Sequence, residues 1–458
     1  MNLWIFVLYL LSQFALGWWV SRRVHSEEDF FVAGRKLGAP FLAFSLFATW
    51  FGAETCLGAA GAVYTSGLSG ARADPLGYAL CLVLMGVLLV TRLYRGRYLT
   101  LGDLFRQRYG PLVERMGVLI LVPSSVIWAA AQVRAFGQVI AATSAINVTS
   151  AMYLATVIVI GYTYLGGLLG DVVTDFFQGL LMAVCLGLLV FVAVDRLGGL
   201  SVALRQVEPQ RWSLLVSGQS AWVQIDRWSV PIFGSLIAQE LMARVFSARS
   251  LETARRATYW SAAIYIVLGA CPVLLGLLGP QLMPSLAEPE QLLPHLSKQL
   301  LPPVLQALFS CALVAAILST VDSILLASSA LIAHNVLSPT LKVQTDRGKL
   351  LVARTCVVVF GILALVIALY ADGIYELVET ASAFGTAGVL VVTLAALYLP
   401  WGGHVAAAAA LVVGAIATPV LTYVLEVPAP FLGSIFCAVV AYCSSAWIGG
   451  RRRMRYGT

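Results

Sequence analysis

The stretch Phe44-Ser45-Leu46-Phe47-Ala48-Thr49-Trp50-Phe51-Gly52-Ala53-Glu54-Thr55 lies inside an apolar block that begins near Pro40, and it sets a glycine and a carboxylate near the middle of that block. A second stretch, Ser229-Val230-Pro231-Ile232-Phe233-Gly234-Ser235-Leu236-Ile237-Ala238-Gln239-Glu240, interrupts the block that begins near Ala221. Pro231 removes a backbone donor, and Gly234 lowers the cost of unwinding. Either stretch alone has a plain reading, because glycine and proline are common in membrane helices, where neighbours repair the freed groups. Together they say more. Five blocks separate their starts, the spacing of two topologically inverted five-helix copies, and interruptions at matching places in two halves point to a transporter's binding site.

The blocks are membrane spans. Of 458 residues, 60% are hydrophobic and 11% charged, against roughly 25% charged in a soluble chain. The apolar residues run in stretches of about 20, enough for a helix rising 1.5 Å per residue to cross about 30 Å of hydrocarbon. Thirteen candidate spans begin near Asn2, Pro40, Pro75, Leu112, Val148, Asp171, Ala221, Arg255, Pro303, Lys349, Ile374, Gly403 and Pro428, with no soluble domain between them. Arg22 and Arg23 follow the first apolar run rather than precede it, the charge order of an anchor with its N-terminus outside and not of a cleaved leader. Twenty-two of the 29 basic residues, Arg244 and Arg249 among them, then fall in segments that this topology makes cytoplasmic. The expected organisation is a leading helix (1–21), a first inverted repeat (40–196), a second (221–400), two C-terminal helices (403–449) and a basic cytoplasmic tail (450–458). Topology accounts for the net charge of +7 without a nucleic-acid partner. The expected surroundings are a lipid bilayer: a multi-pass protein of a cell membrane, of the bacterial inner-membrane kind.

Polar residues inside the spans carry the chemistry. Asp171 and Asp175 are four residues apart, on one helix face. The run Ala315-Ala316-Ile317-Leu318-Ser319-Thr320-Val321-Asp322-Ser323 offers hydroxyls and a carboxylate, hard oxygen ligands that suit an alkali cation better than a transition metal. Ser328 and Ser329 read as helix-to-helix hydrogen-bonding residues. Arg134 stands as the one basic residue outside the loops, either binding an anionic substrate or, the preferred reading, pairing with a carboxylate such as Glu54 or Asp175. Trp50 and Trp128 are candidate substrate walls, since an indole face attracts an ammonium by roughly 0.5–2 kcal/mol. The eight cysteines read as small apolar fillers. Asn147-Val148-Thr149 has the form of a glycosylation acceptor, a chance match on so short a loop.

The Gly166-Gly167-Leu168 to Thr174-Asp175 to Gln178 run, the Ala316 to Ser323 run and the Ala48 to Glu54 interruption together resemble the sodium:solute symporter family, from about Glu28 to about Ala395. The resemblance implies an all-α membrane fold built on an inverted five-helix, LeuT-like repeat with alternating access to a midplane site. It implies a first sodium site from the carbonyls of Ala48, Phe51 and Ala316 and the hydroxyls of Ser319 and Thr320. A second sodium, found in some members, falls to Asp175, Ser319, Asp322 and Ser323. Ala48-Thr49-Trp50, Gly61-Ala62-Val63-Tyr64 and Trp128-Ala129-Ala130-Ala131 are most similar to the high-affinity choline transporter branch, in which Trp50 and Trp128 correspond to aromatic walls. Ala238 departs from that branch, which places a further tryptophan there, and Gln239 and Glu240 follow it. Glu54 occupies the stretch where the family's sugar carriers engage substrate hydroxyls.

The reading from sequence is therefore a sodium-coupled secondary symporter importing a small polar solute, choline or another amine, with substrate contacts at Trp50, Glu54, Thr55, Trp128, Ala238 and Gln239. An amino acid, sugar or carboxylate passenger stays open, as does proton coupling through Asp175 or Asp322. An enzyme lacks its constellation, since the four histidines (His25, His295, His334, His404) lie near span boundaries or in loops. Oligomeric state has no sequence signal.

Overall fold

The computed structural model describes residues 3–143, 146–371, 377, 381 and 385–455. The expected eleventh span starts near Ile374, outside the described residues, as do Asn2 and the last three residues of the basic tail. The helices that position the site are α1 (Leu3–Ser21), α2 (Ala39–Ala48), α3 (Pro111–Thr143), α4 (Val148–Arg196), α5 (Ala221–Ser229), α6 (Gln239–Ser247), α7 (Leu251–Leu282), α8 (Pro303–Ile332), α9 (Asp346–Tyr370) and α10 (Thr386–Tyr398).

Among the described residues, eight helical runs are long and apolar enough to cross a membrane, while α2 and α10 are shorter apolar helices. Two of the eight are long enough for two crossings: Glu54–Gly96 has 43 residues and Val148–Arg196 has 49, against about 20 for one span. Gly67 (φ 68°, ψ −155°) and Asp74 (φ −130°, ψ 124°) interrupt the first and Gly167 (φ 53°, ψ −160°) the second. Spans expected to be separate are thus joined through one or two non-helical residues. At Gly167 the chain passes so close to Phe30 that an added Cβ would stand 2.6 Å from the Phe30 ring and 2.7 Å from its carbonyl oxygen.

Helix α8 is the core. Every residue from Phe309 to Leu331 is buried, packed chiefly against α3 and α4. The opposite character marks the rim, where Leu119, Val157, Phe191, Val267, Ile362 and Ile416 are all at least half exposed. A monomer in water does not keep a belt of that size bare; in a bilayer it is the lipid-facing surface. Arg22 and Arg23 stack over Trp18 and Trp19, with 4.0 and 4.6 Å from guanidinium to ring, the pairing of amphipathic rings and snorkelling cations found at a bilayer interface.

One end of the bundle is tied by backbone and charge. Leu37 N donates to Ser247 O at 3.2 Å and Arg249 N to Leu37 O at 3.0 Å, so the segment entering α2 is joined to the segment leaving α6. His334 bridges Glu27 and Asp103, 3.1 Å from each carboxylate. Burial pushes the Asp103 carboxyl up, but the His334 contact and the amides of Leu99 and Thr100 hold it below the usual range.

Replacing Gly167 with valine forces a side chain into a backbone region that only glycine adopts freely, a strain of about 1–3 kcal/mol before the clash with Phe30 is counted. Thermal unfolding in detergent should show a clearly lowered melting temperature, and an unchanged one would mean the bend does not depend on glycine.

Candidate functional site

The hydrogen-bond ladder of α2 runs out at Ala48. Thr49 N still reaches Ser45 O at 2.9 Å, but Trp50 N and Phe51 N both turn to Phe47 O, at 3.3 and 3.1 Å, and Gly52 N bonds Trp50 O at 2.8 Å. Ala53 N is met from α3 by Gln132 Oε1 at 3.0 Å, which matters because a bare amide at membrane depth costs several kcal/mol. Gly52 permits this approach: a Cβ there would overlap Thr320 Oγ1 and stand 2.8 Å from Gln132 Oε1.

The second interruption falls later than Pro231 and Gly234 suggest. Pro231 has no N–H, and the chain loosens around it into a wide turn, Val230–Gly234, while Gly234 keeps helical angles (φ −64°, ψ −38°). The extended residue is Ala238 (φ −62°, ψ 124°), after which α6 begins. Gln239 Oε1 accepts Leu101 N at 2.8 Å and so fixes the start of α6.

Between the two interruptions lies a buried polar cluster. Asp175 accepts Ser45 Oγ at 2.5 Å and Ser319 Oγ, and Ser319 Oγ is also 3.3 Å from Ala48 O. Arg244, 0% exposed, donates from Nη2 to Asp171 Oδ2 at 2.8 Å, Asp175 Oδ2 at 3.2 Å and Ser323 Oγ at 2.6 Å, from Nε to Ser45 Oγ at 2.8 Å, and from Nη1 to Glu240 O at 2.9 Å. Asp322 Oδ1 accepts Ser323 N at 2.8 Å. Asp171 and Asp175 thus share one guanidinium while Asp322 adjoins them through Ser323, an oxygen-rich setting suited to a hard monovalent cation. A small cavity lined by Phe47, Ala48, Phe51, Ala316 and Ser319, with Gln178, Gly179 and Met182, adjoins it. Four of the five residues expected at the first sodium site meet there. Thr320 instead faces Gly52, with its hydroxyl bonded back to Ala316 O at 3.2 Å.

A larger cavity, about 50 Å³, is lined by Trp50, Tyr78, Leu121, Ser124, Ser125, Trp128, Gly234, Ser235, Ile237, Ala238, Gln239, Glu240, Ala381 and Thr386. The Trp50 ring lies 4.9 Å from Tyr78 and 6.4 Å from Trp128, centroid to centroid. Trp50 Nε1 donates to Glu240 Oε1 at 3.2 Å. Of the residues expected to contact substrate, Trp50, Trp128, Ala238 and Gln239 line this cavity. Glu54 sits behind Tyr78, whose hydroxyl donates to Glu54 Oε1 at 2.7 Å. Thr55 turns elsewhere, toward Asp74 and Tyr265.

Several sequence assignments change. Arg244, counted with the cytoplasmic loops, is buried in the cluster, because α6 continues inward for two turns beyond the second interruption. It is Arg244 and not Arg134 that meets Asp175; Arg134 Nη1 donates to Ala368 O at 3.2 Å. Ser328 and Ser329 are buried, and their hydroxyls make no hydrogen bond among the described residues, so they fill space rather than bridge helices. Tyr78, Ser45 and Arg244 had no motif to announce them. The one available signal was the Glu240–Arg244 spacing, which sets both on the same face of α6.

Two interrupted helices enclosing a cation-suited cluster and an adjoining cavity have the architecture of a membrane transporter, and solved structures place it in the LeuT-like fold. A Na+-coupled sialic acid symporter in a substrate-bound outward-open state superposes with a TM-score of 0.85 at 17% identity, covering 98% of this chain and 97% of that one. The chain belongs to the sodium:solute symporter family, whose model matches residues 30–414; it is a carrier and not an enzyme. It is 30% identical over 395 residues to the high-affinity choline transporter 1 of Drosophila melanogaster, spanning 81% of this chain and 62% of that protein's length. It is 26% identical over 436 residues to the osmoregulated proline transporter OpuE of Bacillus subtilis (strain 168), covering 89% and 86%.

Substituting alanine for Arg244 leaves two buried carboxylates without their cation, a loss of about 3–5 kcal/mol. The expected result is a strongly lowered melting temperature that added NaCl partly restores, measured against a matched choline chloride or KCl control.

Proposed function

We propose that this chain is a sodium-coupled symporter that imports a small organic amine, choline among the class, by alternating access. The observation that carries the substrate class is the larger cavity: Trp50, Tyr78 and Trp128 present three aromatic rings, Glu240 adds a carboxylate, and none of its lining residues is basic. Such a box attracts an ammonium and rejects an anion. Similarity to choline transporters supports the reading. Tyr78 supplies a third aromatic wall, and Ala238 leaves the side where the choline branch has a tryptophan open to a bulkier substituent.

Sodium is assigned to the adjoining cluster: carbonyls of Ala48, Phe51 and Ala316 with Ser319 and Thr320, and a second ion with Asp175, Ser319, Asp322 and Ser323. Oxygen donors and excess negative charge support both. Asp175 is held by Ser45 of the first broken helix and by Arg244 of the second, so sodium bound beside it stabilises one arrangement of the two. Solute then binds more tightly to that arrangement, and sodium to the solute-loaded protein by the same factor. The repeats 40–196 and 221–400 rock about this site, with the N-terminus outside and the C-terminus inside a cell membrane.

In proteoliposomes under an inward sodium gradient, radiolabelled choline should accumulate, with competition from amines and none from carboxylates or neutral sugars. Trp50→Leu should weaken choline by roughly 2- to 30-fold, the equivalent of 0.5–2 kcal/mol. Uptake of a neutral or anionic solute with amines inert would overturn the substrate class. Separately, Ser319→Ala with Thr320→Ala should shift the sodium dependence of uptake to at least tenfold higher concentration; an unshifted curve removes sodium from this cluster.

A further inference from the structure

Thr55, Asp74 and Tyr265 come from three segments, and their oxygens close a ring beside the first interruption. Thr55 Oγ1 bonds Asp74 Oδ2, Tyr265 Oη lies 3.0 Å from the same oxygen, and Thr55 Oγ1 and Tyr265 Oη are 2.9 Å apart. The Trp50 carbonyl is a further acceptor, 3.2 Å from Tyr265 Oη and 3.4 Å from Thr55 Oγ1. A hydroxyl brings one proton, and an ionised carboxylate brings none. Three hydrogen bonds around a ring need three protons, yet the two hydroxyls supply two, and the Trp50 carbonyl competes for those.

Asp74 is 2% exposed, and its Oδ1 is buried with no hydrogen-bond partner. Among the described residues it has no ion-pair partner, unlike Asp171 and Asp175, which share Arg244. The charged and titratable groups around it do not balance a carboxylate. Glu54 is a second, half-buried acid, with Tyr78 on its Oε1, and the Cys56 thiol and the Tyr265 hydroxyl are the other titratable groups beside Asp74. On α5, Asp226 is engaged by the Leu432 amide at 2.7 Å and Arg227 is exposed. Arg72, on the same segment as Asp74, makes no salt bridge to it. An ionised carboxylate held this way is costly at membrane depth. The ring oxygens are already within hydrogen-bond reach of one another, which leaves room among them for a proton and not for a metal ion.

We propose that Asp74 binds a proton, its carboxylic acid supplying the third hydrogen of the ring, and that the ring is a proton site separate from the Asp175–Ser319 cluster. Thr55 belongs to the segment that resumes after the first interruption and Tyr265 to α7. Separation of these segments opens the ring; the Asp74 O–H bond then breaks heterolytically, the proton passes to water and the carboxylate remains. The inference does not depend on which solute is carried.

The test is infrared spectroscopy of the purified full-length protein in lipid at neutral pH, read as the difference between wild type and Asp74→Asn. Asparagine keeps a donor and an acceptor in place, and the expected difference is the loss of one carbonyl band of a protonated carboxylic acid. Tyr265→Phe, which removes one ring hydrogen, should shift that same band and thereby checks the assignment if the asparagine variant fails to fold. No band lost in the asparagine variant, or no shift in the phenylalanine variant, overturns the proposal. So does a wild-type band that vanishes when NaCl replaces KCl at constant pH, because the ligand is then sodium.

Discussion

The structure turns on one buried cation. Arg244 reaches Ser45 on α2, the Glu240 carbonyl on α6, both aspartates of α4 and Ser323 on α8, so a single planar guanidinium joins both broken helices to the two helices that flank them. A lysine, with one compact ammonium, could not make these contacts at once. Charges in a low-dielectric interior must be answered locally, and Arg244 answers Asp171 and Asp175 but makes no ion pair with Asp322 among the described residues. That uneven balance is what recommends the cluster as the proposed place for a cation.

The ion cluster and the solute cavity share the first turn of α6. Glu240 gives its backbone carbonyl to Arg244 and its side chain to the Trp50 indole. The two sides of one residue therefore face the two proposed sites, the polar cluster on one and the cavity on the other. Coupling between two ligands requires an element whose arrangement both of them bias, and under the proposed function that element is about one helical turn long.

Much of this was legible in the amino-acid order because membranes impose strong constraints. Apolar run length announces spans, and an interruption at depth is expensive enough to need a purpose, so the Ala48 to Glu54 and Pro231 to Glu240 stretches stood out. What resisted reading were side chains whose meaning comes from a distant partner. Arg244 looks like a loop arginine until α6 is seen to carry it inward. Tyr78 is one more aromatic residue in an apolar run until Trp50 and Glu54 meet it. Asp74 follows a short linker and gains significance only from Thr55 and Tyr265. Pro231 was read correctly as a disturbance but misplaced by several residues, because a wide turn absorbs its missing donor and postpones the extended residue to Ala238.

Trp50 bears three duties at once: its ring walls the cavity, its N–H engages Glu240, and its carbonyl faces the Thr55–Tyr265 pair. Ala238 bears none of these beyond its place on the wall, and its backbone conformation is open to any small side chain. Divergence of passenger preference within such carriers has an easy route through Ala238 and a blocked one through Trp50. A new cargo can evolve at the first position while the residues of the polar cluster are inherited intact.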